Sequence, residues 1–491
     1  MSEAINFWSD GFPTVMGVEE ETGLMVNHGT VWEDPNILAE NIADYMPSIS
    51  FSGVNKLFLQ NGGLIYPGGG AGAKGADNIE RATPECRRPV EIAAYIQANE
   101  RLMVDIAANY AKKMSAANNS HTQVRIQRRV VDSQGNRKAC HDNFGVDNVF
   151  EYKDGIKRHI LVGHLATRSF MTGAGHVTTD GLRYAQKIDG LKDVYGYGYV
   201  GYMYRTAGRS GSYHDSTGDR LEVRCSDINI SPWAITMRLG ATALLLASLE
   251  TPLAKPILDM SPARDPLELA QEMNIVPIRE DGLFTPTSVA MQAIDFQERL
   301  ADMYMDDLQL YMELPTEYYS IASELKQYCE DYRKVLTNKA PLSLLADRSD
   351  MAAKFTKIVS DNGGLMKSKD SFMRAARDDM VYDYMGIDVA PTSPVRVRFG
   401  YGYKLRDRGI FKGKLSDYAV ANAYFNPPLD TRAHIRGDII KKYNVSAVDW
   451  DCIEVTSDKF TTIFLSDPIQ SVLTEEDHAY IENHAELRSI S

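Results

Sequence analysis

Three consecutive glutamates, Glu19, Glu20 and Glu21, follow an apolar segment near the start of the sequence. In a β-strand successive side chains alternate between faces, so Glu19 and Glu21 would share one face and Glu20 would lie opposite. Carboxylates on one face supply the oxygen ligands that Mg²⁺ takes when it also binds phosphate oxygens. The pattern therefore indicates a candidate magnesium site, and a solvated acidic strand end is the alternative.

A second charged face is predicted in RLEVRCSDIN, residues 220–229. Strict alternation places Leu221 and Val223 on one side of a half-buried strand and Glu222 and Arg224 on the other. The Arg224 guanidinium could hold a substrate carboxylate or phosphate through two parallel hydrogen bonds. An internal ion pair between Glu222 and Arg224 is equally consistent with the pattern.

Other motifs carry less information. The stretch PGGGAGAKGAD fits G-x-G-x-x-G, but a polar, proline-containing segment follows it instead of an apolar helix, and Ala73 replaces the second glycine of a Walker A loop. We interpret this stretch as an active-site or surface loop. His141, in KACHDNFG, is a candidate phosphate or metal contact or a hydrogen-bonded structural residue. The sequence contains no H-E-x-x-H or G-x-S-x-G motif.

The pattern of elements predicts an α+β fold. Strands are expected over residues 13–26 and in a hairpin around Asn61-Gly62, and Ser231-Pro232 is expected to cap and start an apolar helix. Further predicted elements are a helix over residues 87–114, several helices over 290–385, a strand leading into a linker over 395–409, and a separable α+β unit from about Ser416.

Composition narrows the class of protein. The net charge of −13 argues against nucleic acid or an anionic membrane as a partner, because both require a positive field. The stretch ATALLLASLE is too short and too interrupted to predict a membrane span. Five scattered cysteines without a C-x-x-C pair fit a reducing compartment. Since the N-terminus has no leader pattern, a cytoplasmic location is expected.

Several longer fragments follow one another along the chain: MGVEEETGL, FLQNGGLIY, ERATPEC, VVDSQGNRKACHDN, TRSFMTGAGHV, DRLEVRCSDINIS and PPLDTRAHIRGDIIKKY followed by VDW. In this order they resemble one family, the ligase and deamidase that act on the prokaryotic ubiquitin-like tag Pup. That family belongs to the glutamine-synthetase-like carboxylate-amine ligases. The resemblance implies an antiparallel β-sheet cradle backed by helices over residues 1–415 and a small C-terminal α+β domain over residues 416–491.

The resemblance also implies functional residues. The magnesium ligands of the family fall on Glu19, Tyr66 and Glu80, and its ATP contacts fall on Thr83 and Trp450. The cofactors implied are ATP and Mg²⁺. The substrates implied are a Pup-like tag or another glutamate-containing substrate, whose γ-carboxyl is activated, and a lysine-bearing protein or small amine, which receives it.

Two positions depart from the family pattern. Leu64 stands where the family has an ATP-binding arginine, and Gly68 stands where it has the catalytic aspartate. The segment that carries Glu80 reads N-I-E-R instead of H-P-E-Y, after a glycine-rich insertion. Asp77, at the end of that insertion, is the nearest acid that could replace the missing base.

Ligation is favoured over deamidation, because the long extra loop of the deamidase is absent before the Asn-Gly turn and TRAHIRGDII is ligase-like. Three alternatives stay open. They are a deamidase-like hydrolase, a small-molecule amidoligase whose opening G-V-E-E-E is similar to residues 17–21, and an ATP-binding regulator that has lost activity.

Overall fold

A large, mostly antiparallel β-sheet organises the chain. The computed structural model describes residues 5–6, 15–29, 31–33, 49–51, 56–67, 78–131, 138, 140–146, 148–196, 201–207, 220–279, 283–362, 368–456 and 461–487. Within these ranges thirteen strands form the main sheet, and a separate three-stranded sheet lies near the C-terminus. The predicted α+β fold is confirmed.

The strands and helices have the following bounds. The strands are β1 (Ile5–Asn6), β2 (Met16–His28), β3 (Val31–Glu33), β4 (Ile49–Phe51), β5 (Leu57–Leu59), β6 (Leu64–Pro67), β7 (Asn78–Ala82), β8 (Thr122–Gln127), β9 (Cys140–Gly145), β10 (His176–Thr178), β11 (Gly181–Arg183), β12 (Asp193–Tyr195), β13 (Tyr202–Ala207), β14 (Arg220–Val223), β15 (Met312–Glu313), β16 (Tyr384–Val389), β17 (Arg396–Phe399), β18 (Val445–Val448), β19 (Cys452–Val455) and β20 (Thr461–Phe464). The helices are α1 (Pro89–Asn118), α2 (Gly155–Thr167), α3 (Ser169–Thr172), α4 (Pro232–Leu249), α5 (Ala254–Met260), α6 (Pro266–Met273), α7 (Ser288–Asp306), α8 (Thr316–Leu336), α9 (Asp350–Asn362), α10 (Lys369–Tyr382), α11 (Tyr401–Asp407), α12 (Asp417–Phe425), α13 (Arg432–Lys442) and α14 (Glu475–His484).

The 13-residue strand β2 is the centre of the main sheet. It pairs antiparallel with β7 and β9, and through its C-terminal half with β8. The register sets Glu19 opposite His141, and Glu21 opposite Glu80. Glu80 in turn lies opposite Tyr66 in β6. Residues paired directly across strands share a face, so these five side chains lie on one side of the sheet.

The Asn61-Gly62 hairpin is confirmed, with β5 and β6 antiparallel. Gly62 has φ +82°, a left-handed conformation that glycine adopts without strain. Asn61 Oδ1 accepts a hydrogen bond from the Gly63 amide at 3.0 Å and stabilises the turn. The hairpin directs β6 toward the centre of the sheet.

Helices cover the face of the sheet opposite the five site residues. In α4, Ser231 caps the helix as predicted by accepting a hydrogen bond from the Ala234 amide. By length and composition alone α4 would be long enough to cross a membrane, so the expectation that its apolar stretch is too short was wrong. Because 94% of its apolar window is buried inside the fold, α4 is a core helix.

A closed network of charges lies under the central strand. Glu20, on the face of β2 opposite Glu19, accepts hydrogen bonds from Arg81 at 3.0 Å and Arg128 at 2.9 Å. Arg128 also pairs with Glu100 of α1, which pairs with Arg406. All five side chains are buried or nearly so. The network therefore ties β2, β7 and α1 together.

The C-terminal sheet β18–β20 packs with α13 around an apolar cluster that also includes Phe58 and Leu64 of the hairpin. Helix α12, in contrast, packs against α1 of the main body. The division into 1–415 and 416–491 stays a prediction.

The strand predicted at residue 395 is confirmed as β17, but the linker predicted after it is wrong. That segment forms helix α11, whose Tyr403 ring is fully buried beneath the Arg406 guanidinium at 5.1 Å. Its polar composition suggested a linker, but Tyr403 belongs to a buried apolar cluster that includes Leu24, Ile106 and Val124, which are distant in sequence.

Candidate functional site

Glu19, Glu80 and His141 form an acidic cluster on the open face of the main sheet. One ligand atom from each lies within 4.8 Å of the others. Three different strands supply them, β2, β7 and β9, and the antiparallel register brings them together. Among the carboxylate, thiolate and imidazole groups of the described residues, this is the arrangement that could hold a metal ion.

Glu19 is held in its charged form. His141 Nδ1 lies 3.2 Å from Glu19 Oε2, and Arg220 Nη1 donates to Glu19 Oε1 at 3.3 Å. Burial raises the pKa of the Glu19 carboxyl, but His141 and the charge of Arg220 outweigh burial and lower it to about 2. A fixed anion therefore lies in the middle of the cluster.

The charged form of Glu80, in contrast, is destabilised. Burial raises its pKa well above the usual range, and the negative charges of Glu19 and Glu21 raise it further, while a hydrogen bond from Tyr66 lowers it. The described ion pairs join Glu80 to no Lys or Arg side chain. Electrostatic repulsion between close carboxylates is relieved when a cation binds between them.

Glu222 forms ion pairs with three arginine side chains beside the cluster. Its carboxylate, which is fully buried, lies 2.8 Å from Arg205, 3.6 Å from Arg220 and 3.6 Å from Arg224. His141 Nδ1 lies 3.4 Å from the same carboxylate. Glu222 therefore fixes three guanidinium groups in place and joins them to the acidic cluster.

A cleft opens next to Glu19 and runs to the C-terminal sheet. The polar and aromatic residues along it include Thr83, Asn143, Arg220, Arg432 and Trp450. It combines an aromatic wall, guanidinium groups and a nearby acidic cluster, as a site for a nucleotide and a divalent cation would require.

A family model described as Pup-ligase protein matches residues 15–454. The chain belongs to this family. The Pup–protein ligase of Bifidobacterium longum subsp. infantis is 27% identical over 96% of this chain and 95% of its own length. That of Corynebacterium glutamicum strain R is 25% identical over 96% and 97%. The predicted family and its ligase class are confirmed.

Two solved structures of Pup ligases share the fold. The ligase PafA in its complex with Pup superposes with a TM-score of 0.71, at 22% identity over 96% of this chain and 92% of PafA. PafA in complex with ADP gives a TM-score of 0.67, at 22% identity over 94% of this chain and 97% of PafA. These likenesses establish that this member of the Pup-ligase family has the same architecture.

The acidic cluster fits a hard cation such as Mg²⁺. Carboxylate oxygens dominate the donor set, and mutual repulsion destabilises the charged form of Glu80 in the absence of a cation. Glu19 and Glu80 would hold the ion, and the buried Nε2 atom of His141 has no hydrogen-bond partner among the described atoms. Glu21 lies outside the cluster, where its Oε2 accepts from Asn78 Nδ2 at 3.2 Å.

The structure brings together most of the predicted site. Thr83 and Trp450 line the cleft, while Tyr66 hydrogen-bonds to Glu80. Glu222 and Arg224 form the internal ion pair that was one of the two interpretations. Asp77 lies outside the described residues, together with Gly68. The roles assigned to all these residues stay predictions.

Sequence reasoning missed Arg220, Asn143 and Arg432. Arg220 and Asn143 lie two residues from Glu222 and His141, on the same strand faces, so a strict period of two would have indicated both. Arg220 Nη1 donates to Asn143 Oδ1 at 3.2 Å. Arg432 carried no such local signal, because it enters the cleft from helix α13.

Proposed function

We propose that this chain uses Mg-ATP to activate the γ-carboxyl of a glutamate in a Pup-like tag and joins it to an amine such as a lysine side chain. The observation that carries the proposal is the cluster of Glu19, Glu80 and His141 at the end of a cleft lined by Thr83 and Trp450. Its relatives are Pup–protein ligases, and one solved relative holds ADP.

The nucleotide would occupy the cleft. Trp450 offers an aromatic face for the base, and the Thr83 hydroxyl, which accepts a hydrogen bond from the Val18 amide at 3.0 Å, keeps its proton for the ligand. Arg220 and Arg432 provide positive charge for phosphate groups along the same wall. A bound Mg²⁺ would neutralise charge on those phosphates.

The reaction has two steps. The γ-phosphoryl group of ATP moves to a carboxylate oxygen of the tag, leaving ADP and an acyl phosphate. The amine nitrogen then attacks the acyl carbon, a C–N bond forms, and the C–O bond to phosphate breaks. The arginines fixed around Glu222 can stabilise the negative charge that develops on the transferred group.

The amine must lose a proton before or during attack. Asp77 is the proposed acceptor, because Gly68 replaces the family's aspartate. Asp77→Ala is expected to abolish amide formation without changing ATP binding, with Asp259→Ala, an exposed acid on helix α5, as the control. Unchanged turnover in Asp77→Ala would reject Asp77 as the base.

The overall proposal is tested by ADP release and amide formation. A synthetic tag peptide ending in glutamate is supplied with a lysine-containing protein, and free glutamate with a small amine serves as the comparison. Product from the tag and the lysine-containing protein, and not from free glutamate and the small amine, supports the proposal. Product only from free glutamate and the small amine indicates a small-molecule amidoligase. Glu19→Gln should lower turnover by roughly 100-fold, because it removes a carboxylate that would hold the metal ion, whereas Glu298→Gln, on helix α7, should not.

A second candidate is an ATP-binding regulator without ligase activity. It is favoured by Leu64, which takes the position of the family's ATP-binding arginine with an apolar side chain, buried in the cluster that includes Phe58, Ala82 and Ile435. Mg-ADP binding without turnover on any carboxylate or amine would favour this candidate over the ligase.

A further inference from the structure

Arg436 is a fully buried cation at the junction between the C-terminal sheet and the main body. It donates from Nη2 to Glu85 Oε2 at 2.5 Å and to the carbonyl oxygen of Gly62 at 2.8 Å. From Nη1 it donates to the carbonyl oxygen of Trp450 at 2.8 Å. One guanidinium therefore contacts three segments that are distant in sequence.

The same guanidinium lies against two aromatic rings. Its central carbon is 5.0 Å from the Trp450 ring and 5.2 Å from the Phe58 ring. The two rings meet edge to face with their centroids 5.1 Å apart. Arg436 thus holds Trp450 both through its backbone carbonyl and through its indole face.

Each of the three segments carries a part of the proposed site. Glu85 follows Thr83 by two residues, shortly after β7 ends. Gly62 is the turn of the hairpin whose second strand carries Tyr66. Trp450 is the aromatic wall of the cleft. Arg436 therefore ties Trp450 to the segments that carry Thr83 and Tyr66.

The helix that carries Arg436 is docked without spare room. A Cβ atom added to Gly62 would lie 2.9 Å from the Ala433 Cβ, and one added to Gly437 would lie 2.5 Å from the Gln60 carbonyl oxygen. At both glycines the backbones of α13 and the hairpin approach each other closely. Helix α13 therefore has little room to shift relative to the hairpin.

Glu85 completes the arrangement. Its carboxylate also accepts from Arg432 Nε at 2.7 Å, so two guanidinium groups one helical turn apart share a single buried acid. Arg432 lines the cleft directly, whereas Arg436 lies behind it. The two arginines have different positions relative to the nucleotide although both bind Glu85.

We propose that Arg436, anchored by Glu85, is a positioning residue that holds Trp450 in the orientation required for nucleotide binding. The proposal rests on the proposed function, since it places a nucleotide in the cleft. Arg436 acts through Trp450 and does not itself touch the ligand.

The test compares nucleotide affinity across variants of the full chain. The probe is a fluorescent ADP analogue with Mg²⁺. It is titrated at a temperature at which circular dichroism shows that each variant is folded. Arg436→Met is expected to weaken binding about tenfold or more, and Arg436→Lys, which keeps the charge but loses the planar fork, by a smaller factor. Glu85→Gln should also weaken binding, but Glu85 lines the cleft and binds Arg432 as well, so the Arg436 variants carry the test.

Arg348→Met is the matched control. Arg348 is also buried, pairs with Asp331 at 2.8 Å and lies 5.4 Å from the Tyr328 ring, but it belongs to the helical region away from the cleft. A purely structural role predicts that Arg348→Met and Arg436→Met lower the melting temperature alike and leave nucleotide affinity unchanged. That result would overturn the proposal.

A double-mutant cycle isolates the action through Trp450. If Arg436 works by positioning the indole, Trp450→Phe combined with Arg436→Met should weaken binding little more than either change alone. Losses that multiply would overturn the proposal. Wild-type protein that fails to bind the probe rejects the nucleotide site itself, whereas tight wild-type binding with an unaffected Arg436→Lys and Arg436→Met rejects only the positioning role.

Discussion

Buried carboxylates on the two faces of the sheet around strand β2 have opposite electrostatic surroundings. On the closed face, Glu20 lies within 3.0 Å of both Arg81 and Arg128 under a layer of helices. On the open face, Glu19 also has cationic neighbours, but Glu80 faces other carboxylates, and its pKa is raised by burial and by their charges. Carboxylates on the two faces of the same sheet thus serve different purposes.

The difference teaches how charge can be used in a sheet. A buried carboxylate that is matched by guanidinium groups contributes to the integrity of the fold, and removing one partner leaves a buried charge without compensation. A carboxylate that faces other carboxylates can bind a cation from solution, because the cation relieves their mutual repulsion. The closed face therefore stabilises the protein, and the open face is available for chemistry.

The largest effect is expected on the closed face. Glu20→Gln should lower the free energy of unfolding by about 3–5 kcal/mol, because Arg81 and Arg128 lose their shared buried anion. Urea denaturation of the purified protein measures this loss. Glu298→Gln, in a partly exposed pair with Arg333, is the control and should change stability by no more than about 1 kcal/mol. Equal losses in the two variants would contradict the contrast between buried and exposed pairs.

A smaller effect is expected where the C-terminal sheet meets the main body. Burial raises the pKa of Glu85, but Arg436 and Arg432 outweigh burial and lower it to about 2, from an ordinary value of 4.5. A lowered pKa in the folded state stabilises the protein above pH 4.5, and this contribution is lost as the pH falls toward 2. At about 1.4 kcal/mol per unit of pKa, a shift from 4.5 to about 2 amounts to about 3.5 kcal/mol at most.

Stability measurements on wild type and Glu85→Gln should therefore differ most near pH 7 and converge as the pH is lowered below 4.5. Chemical denaturation at a series of pH values gives the difference directly. A gap that is independent of pH would show that the glutamine variant disturbs packing and not charge.

The smallest change in stability is expected on the open face. In metal-free protein, Glu80→Gln should raise the free energy of unfolding by about 1 kcal/mol, because it removes repulsion from Glu19 and Glu21. The same variant should lose the stabilisation that Mg-ADP gives wild type, about 2.7 kcal/mol at a ligand concentration 100-fold above Kd. Thermal unfolding with a chelator and with Mg-ADP measures both. A less stable metal-free variant would contradict the comparison between the two faces.

Local rules predicted much of this structure correctly. Alternation along β2 separated Glu20 from Glu19 and Glu21, Asn61-Gly62 indicated the hairpin, and Ser231 capped its helix. These features depend on residues a few positions apart, where backbone geometry fixes which side chains share a face. The same rule would have indicated Arg220, which was missed although it lies two residues before Glu222.

Contacts between distant segments could not be predicted in this way. Helix α11 was predicted as a linker because its composition is polar. The apolar cluster that buries Tyr403 includes residues distant in sequence, and local composition does not reveal it. The pairing of Glu85 with Arg436 joins residues 351 positions apart, and no periodicity relates them.

The sequence by itself determined the family, the α+β class and the row of glutamates on alternating faces, because motifs and strand periodicity are short-range properties. Only the tertiary structure decided what each glutamate does. Glu20 is neutralised by Arg128, 108 positions away, while Glu80 is set among acids by strand register. Whether a buried charge is compensated depends on which distant side chains surround it, and only the folded chain specifies those neighbours.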